Sequence, residues 1–148
     1  MPPILIDTNV LLYLYDQNAI AKNERAGLIL ARLQYLGTGR LSAQNLAEFV
    51  NAAMRKLDPP LTAAQGYEQV TLFSSAWTIF DLTSQIVLEA ARGVRDYKLA
   101  YYDAQIWATA RLNQVPVIFS EDFQDGQVME GVRFVDPFKD GFIIEEWA

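Results

Sequence analysis

Short, solidly apolar runs alternate along the chain with longer stretches in which apolar residues recur at helical spacing. Ile4-Leu5-Ile6 predicts a buried strand, and Val10 to Leu14 a helical turn or two after it. Helical spacing returns from Ala21 to Leu36, with Leu28, Leu33 and Leu36 set for a core stripe, until Gly37-Thr38-Gly39 breaks it. Arg40-Leu41 reads as a second, very short strand. Ser42 can cap a helix that runs to Leu57 and buries Leu46, Phe49, Val50, Ala53 and Met54, and Asp58-Pro59-Pro60 ends it. A helix from Thr62 to Leu72 and a strand at Trp77 to Phe80 follow. Thr83 caps the next helix, whose inner face is Ile86, Val87, Ala90, Ala91, Val94 and Tyr97, and another helix spans Tyr102 to Asn113. Pro116-Val117-Ile118-Phe119 and Val132 to Val135 predict the last strands.

Strands this short and apolar, alternating with helices, imply a mainly parallel sheet covered on both faces, a three-layer α/β/α domain. Neither a repeat nor a linker interrupts the chain, so residues 1–148 are expected to form one domain, with 140–148 as a tail of no assigned role. Open parallel sheets bind ligands outside the carboxyl ends of their strands, near the point where strand order reverses. That rule puts Asp7 and Ser120-Glu121-Asp122 on one edge.

Composition narrows the chemistry. No apolar stretch approaches the ~20 residues of a membrane helix and Met1-Pro2-Pro3 has no basic leader character, so a cytoplasmic protein is expected. The chain has no cysteine and no histidine, which removes thiolate nucleophiles, imidazole bases and the usual zinc ligands. Carboxylates, hydroxyls, Lys and Arg remain, and hard oxygen donors suit magnesium or manganese. With 18 acids against 12 bases, the net charge of −6 gives no general electrostatic argument for nucleic acid.

Each acid also has an ordinary explanation. Asp7-Thr8-Asn9 makes a good helix cap. Glu48 shares a polar helix face with Gln44, Asn45, Asn51 and Arg55, where a solvated role suffices. Asp103 suits the positive end of a helix dipole, although Tyr101, Tyr102, Ile106 and Trp107 surround it with apolar surface. Asp125-Gly126 is ordinary turn chemistry. Taken together, acids at strand ends and helix starts around one sheet edge would raise one another's pKa values unless a cation neutralised them, which points to a divalent-metal site.

At these residues the sequence resembles the PIN-domain nucleases, specifically the VapC-type toxin ribonucleases of toxin–antitoxin pairs. The matching segments are Leu5-Ile6-Asp7-Thr8-Asn9, Ser42-x-Gln44-x-Leu46-x-Glu48-Phe49, Tyr102-Asp103-Ala104 and Ser120-Glu121-Asp122-x-x-Asp125-Gly126, in the family's order. The resemblance implies metal ligation by Asp7, Glu48, Asp103 and Asp122, support from Thr8, Asn9 and Ser120, and an auxiliary role for Asp125. Ala100 departs from the serine often found there, which removes a cap and no ligand.

The expected activity is hydrolysis of RNA phosphodiester bonds with Mg2+ or Mn2+, leaving 5′-phosphate and 3′-hydroxyl ends. Backbone contacts are assigned to Arg55, Lys56, Arg92, Arg95 and Lys98, for which a solvated helix face is the plain alternative. Two other readings stand beside it: a silent PIN fold that only binds RNA or protein, and a haloacid-dehalogenase-like phosphatase, which needs an Asp where Asn9 stands. The implied partners are RNA, an antitoxin and a second copy of the chain. The antitoxin is expected to place an Arg or Lys among the acids and to lie in a groove between the Ala21–Leu36 and Ser42–Leu57 helices. Trp77, Phe123, Phe138, Phe142 and Trp147 are a surplus of aromatics for self-association, and the apolar end from Phe142 to Trp147 should dock on its own domain or a neighbour.

Overall fold

In the computed structural model, which describes residues 1–148, the chain runs β1 (Ile4–Ile6), α1 (Thr8–Tyr13), α2 (Ile20–Leu36), β2 (Gly39–Ser42), α3 (Ala43–Arg55) and α4 (Ala63–Ala76). It continues through β3 (Thr78–Phe80), α5 (Ser84–Tyr97), α6 (Tyr101–Leu112), β4 (Val117–Phe119), β5 (Val128–Met129) and β6 (Val132–Val135), and ends in a 3-10 turn at Ile144–Glu146. All strands join one sheet in the order β3-β2-β1-β4-β6-β5, parallel except for the β5–β6 pair. This is the expected three-layer α/β/α arrangement.

The strand order reverses between β1 and β4. From β1 the chain steps outward through β2 to β3, then returns to the other side of β1 with β4. At such a point the chains leaving adjacent strands part in opposite directions and open a crevice. Ile4, Leu5 and Ile6 pair with Val117, Ile118 and Phe119, so the crevice lies between Asp7 and Ser120, the residues that follow each strand.

Two cores hold the sheet. On one face Ile4, Ile6, Leu11, Ile29, Leu33, Phe49, Phe73 and Phe119 pack together; on the other, Leu5, Ile86, Ile106, Trp107, Ile118 and Phe134 do. Adjacent strand residues go to opposite cores, as the pleat requires.

Several expectations about inner faces are corrected. Leu28 and Leu36 face solvent, and α2 instead buries Ala26, Ile29, Leu30 and Leu33. Met54 is partly exposed at the end of α3, while Val87, Ala91 and Tyr97 lie on the outside of α5. Gly93 is buried where α5 crosses α6, because the Trp107 ring fills the space its Cβ would need, with a ring carbon 2.8 Å from that position.

The aromatic surplus is mostly internal. Trp77 is buried, Phe123 stacks on Phe134 at 4.0 Å between ring centroids, and Phe138 packs edge-on to Tyr13. The end of the chain docks on its own fold: Phe142 and Trp147 meet Phe119 edge-on, and Arg32 Nε donates to the Ala148 carbonyl at 3.0 Å.

Candidate functional site

Asp7 stands at the crevice as the last extended residue of the β1 segment and the N-cap of α1. Its amide donates to the Phe119 carbonyl at 3.0 Å, which fixes its backbone to β4. Its Oδ1 accepts from the Thr8 amide at 2.7 Å and its Oδ2 from the Ser120 hydroxyl at 2.6 Å. The capping role foreseen for Asp7 is therefore real, and it also locks the side chain's direction.

Ser120 is wholly buried and fully used. Its hydroxyl donates to Asp7 and accepts from the Asp122 amide at 3.1 Å and from Asn9 Nδ2 at 3.4 Å. One oxygen thus ties the ends of β1 and β4 to the turn that carries Asp122. Thr8 reaches the other flank: its Oγ1 accepts from Asn45 Nδ2 at 3.3 Å, and Asn45 closes a capping box with Ser42 at the start of α3. That link sets α1 against the helix bearing Glu48.

Glu48 lies one turn along α3 from Gln44, whose Nε2 donates to Glu48 Oε1 at 2.7 Å. Asp103 sits in the first turn of α6, where Ala100 as N-cap offers no side-chain bond. Asp122 is exposed on the turn after β4.

The acids share one electrostatic neighbourhood. Burial pushes the Asp7 carboxyl up to about 7 against the lowering effect of Ser120 and Thr8, and the charges of Asp122 and Glu48 push it further. Glu48 is raised by burial and then by Asp103 and Asp122, and Asp103 by burial and then by Asp122. Elements far apart in sequence therefore bring Asp7, Glu48, Asp103 and Asp122 to the same end of the sheet. No three of them close into a ready-made coordination cluster. Like charges without a cation have no reason to draw closer.

The residues present fit a hard divalent cation. The donors are all oxygens, Asp7 is buried without a cationic partner, and the buried Asn9 Oδ1 accepts no hydrogen bond. Asp7, Asn9, Glu48, Asp103 and Asp122 are the side chains that could hold it.

Two groups of candidates lie elsewhere. Asp125 turns away from the crevice: its Oδ1 accepts from the Asp136 amide at 2.9 Å and its Oδ2 pairs with Lys139 at 3.7 Å, so it serves the β6 loop. Arg92 is held by Glu89 and by Glu130 at 2.8 Å, and Arg95 pairs with Asp96 in the same network. Glu130 lies in the turn between β5 and β6, so Arg92 is anchored at the amino end of β6. Lys98 donates to the Arg95 carbonyl beside them, and Arg55 faces Asn51 on α3 at 3.5 Å; Lys56 follows as that helix's C-cap.

Sequence reasoning missed the amides and the rim cation. Gln44 joins Glu48 to α6, its Nε2 donating also to the Tyr102 carbonyl at 3.0 Å and its Oε1 accepting from Gln105 Nε2 at 2.8 Å. Lys22 binds Glu121 at 2.8 Å, and both contact the Tyr13 hydroxyl, so Glu121 is already paired. Gln44 was legible as part of the motif around Glu48, whereas nothing in the sequence marked Gln105 or Lys22.

A family profile described as "PIN domain" matches residues 4–124, a span that contains every acid of the crevice. No curated protein matches the chain in sequence. Solved structures do match in fold. A toxin–antitoxin complex from Klebsiella pneumoniae superposes with a TM-score of 0.64 at 20% identity, covering 90% of this chain and 97% of that one. VapC20 of Mycobacterium tuberculosis, described as a sarcin-ricin loop cleaving toxin, gives 0.65 at 18% identity, covering 88% and 98%. DNA-bound VapBC from Salmonella typhimurium gives 0.62 at 20% identity, covering 93% and 99%.

Proposed function

Because the chain belongs to the PIN-domain family, we propose that it is a metal-dependent endoribonuclease, the toxin of a toxin–antitoxin pair, working at the crevice between β1 and β4. The observation that carries the reading is the placement of Asp7, Glu48, Asp103 and Asp122 around that crevice, each close enough to raise a neighbour's pKa or be the cause of one raised.

Asp7, Glu48, Asp103 and Asp122 would hold Mg2+ or Mn2+, which would supply water activation and charge neutralisation at the scissile phosphate. The chain's own contribution is positioning. Ser120 and the Thr8 amide hold both oxygens of Asp7, so its direction is set before any ligand arrives. Gln44 holds Glu48, and Ser120 holds the turn of Asp122 through its amide. Asn9 Nδ2 donates to the Ser120 hydroxyl at 3.4 Å and so backs the same anchor. Resemblance to the family implies water as the nucleophile and products with 5′-phosphate and 3′-hydroxyl ends, and without histidine no imidazole pair is present for the 2′-hydroxyl route.

An antitoxin partner belongs to the same reading, as does a homodimer. Both rest on resemblance to VapBC proteins. An apolar groove between α3 and α4, lined by Leu46, Val50, Met54, Tyr67 and Val70, offers the antitoxin helix a seat beside the α2–α3 groove expected from sequence. An Arg side chain reaching the acids from that segment would compete with the metal.

The test is cleavage of a 5′-labelled structured RNA in Mg2+, Mn2+ or EDTA, with end-group analysis of the products. Cleavage that survives EDTA, or products ending in 2′,3′-cyclic phosphate, would contradict the mechanism.

A further inference from the structure

Beside Glu48 a pocket of about 630 Å³ opens between α3, α6 and the segment that leads into α5. Its walls are unlike each other. Leu82 and Tyr102, both more than half exposed, and Ala47 give it apolar faces, while Asn51 and Gln105 bring amides. A side chain as apolar as Leu82 and a ring as open as that of Tyr102 gain little from water.

Gln105 is the informative residue, because it is only 4% exposed and its orientation is dictated. Glu48 Oε1 and the Tyr102 carbonyl can only accept, so Gln44 must turn its Nε2 to them. Gln44 Oε1 then faces Gln105, which must answer with its own Nε2. The remaining Gln105 oxygen accepts nothing from the protein, and unlike Asn9 Oδ1 it is not sealed off, so it opens into the pocket. A buried acceptor held in one direction and left free is a binding group for an N–H donor.

We infer that this pocket takes one unstacked nucleobase carrying an exocyclic amine, stacked on the Tyr102 ring with its amine donating to Gln105 Oε1, next to the phosphate attacked at Glu48. The proposal rests on the ribonuclease reading for its position beside the scissile bond. Stacking on an exposed aromatic is how single-stranded RNA is usually gripped, and a free acceptor adds the discrimination. Adenine and cytosine present an amine beside an unprotonated ring nitrogen on the Watson–Crick edge, where the amine can reach a recessed oxygen, whereas guanine's amine lies beside a ring N–H that would meet the Asn51 donor. Uracil's one donor there lies between two carbonyls, which would be driven against Gln105 Oε1. Asn51 Nδ2, which donates to nothing else, is the partner for the adjacent ring nitrogen.

The Gln105–Gln44–Glu48 chain gives the pocket a second consequence. A base that pulls on Gln105 also fixes the amide that holds Glu48, so occupancy of the pocket and alignment of that acid are linked through bonds of 2.8 and 2.7 Å. Gln105 is therefore a positioning residue as well as a specificity residue.

The test uses the full chain and the probes AMP, CMP and UMP, followed by NMR of the side-chain amides. AMP and CMP should shift the Gln105, Gln44 and Asn51 amide signals, with UMP binding at least tenfold more weakly. Tyr102→Leu, at an exposed position that folding does not need, should weaken AMP and CMP roughly tenfold by removing the stacking face. Gln105→Leu, which removes the free acceptor, should bring UMP level with the others. Equal binding of all three by the unaltered protein, or AMP shifts confined to other residues, would overturn the inference. Metal-dependent RNA cleavage without any preference at one base position would also overturn it and leave the ribonuclease reading intact. AMP binding in the pocket of a protein that cleaves no RNA would support the pocket and end that reading.

Discussion

Replacing Asp7 by Asn is predicted to stabilise the metal-free protein at alkaline pH while removing RNA cleavage. Burial lifts the Asp7 carboxyl from its ordinary 3.8 to about 7. Between those values the folded chain keeps a proton that the unfolded chain has lost, so stability falls as pH rises through this window and the loss is complete above it. At ~1.4 kcal/mol per pH unit, the charged carboxylate costs the metal-free fold about 4 kcal/mol at pH 8, as an upper bound. Asn carries no charge to desolvate, but it must set an NH2 group against Ser120 or the Thr8 amide, a mismatch of about 1 kcal/mol. The net gain is about 3 kcal/mol, or roughly 6–12 °C in melting temperature for a chain of this size. Thermal melts in chelator at several pH values from 5 to 8 measure it. Glu48 and Asp103 are raised in both proteins, so the difference between the two melting curves isolates Asp7. Mn2+ should restore the unaltered protein at pH 8 and leave the variant where it was. Parallel pH profiles for the two proteins, or a variant less stable at pH 8, would refute the reasoning.

Ser120→Ala strips a donor from Asp7 and an acceptor from the Asp122 amide and Asn9, so it should cost about 1–3 kcal/mol in chemical denaturation and raise the metal concentration needed for half-maximal cleavage. Arg92→Ala should leave RNA cleavage and RNA affinity unchanged, because its partners Glu89 and Glu130 hold it at the amino end of β6; a loss of affinity in a filter-binding assay would put it back in the interface. Gly93→Ala forces a methyl against Trp107 and should lower stability by about 1–3 kcal/mol, visible as a shifted urea midpoint, with site chemistry preserved in the folded fraction.

What the sequence disclosed follows from where information is local. β1 and β4 are buried on both faces and so read as unbroken apolar runs, and Asp7 and Ser120 stand out because each ends such a run. β5 is two residues long and exists through its antiparallel pairing with β6, so Val128-Met129 carries no signal of its own. The inner face of α5 misled because its closest contact is made by Gly93, a residue with no hydropathy to read, against a tryptophan contributed by α6. Charge is shared in the same non-local way: Arg92 is paired with Glu130, 38 residues beyond it, while Arg95 pairs with the adjacent Asp96. The Gln44–Gln105 bond spans 61 residues, and no helical spacing could have joined the two.

On the proposed function, four carboxylates from separate elements hold one divalent-metal site at the β1–β4 crevice. Diffraction at the manganese edge from crystals grown with Mn2+ tests it most directly. An anomalous peak should appear bounded by Asp7, Glu48, Asp103 and Asp122, with direct ligands at about 2.0–2.3 Å and the others reached through water, and it should vanish in Asp7→Asn crystals. A peak centred on Asp125, Asp136 and Asp140, or a saturating soak that leaves the crevice without manganese, would contradict it.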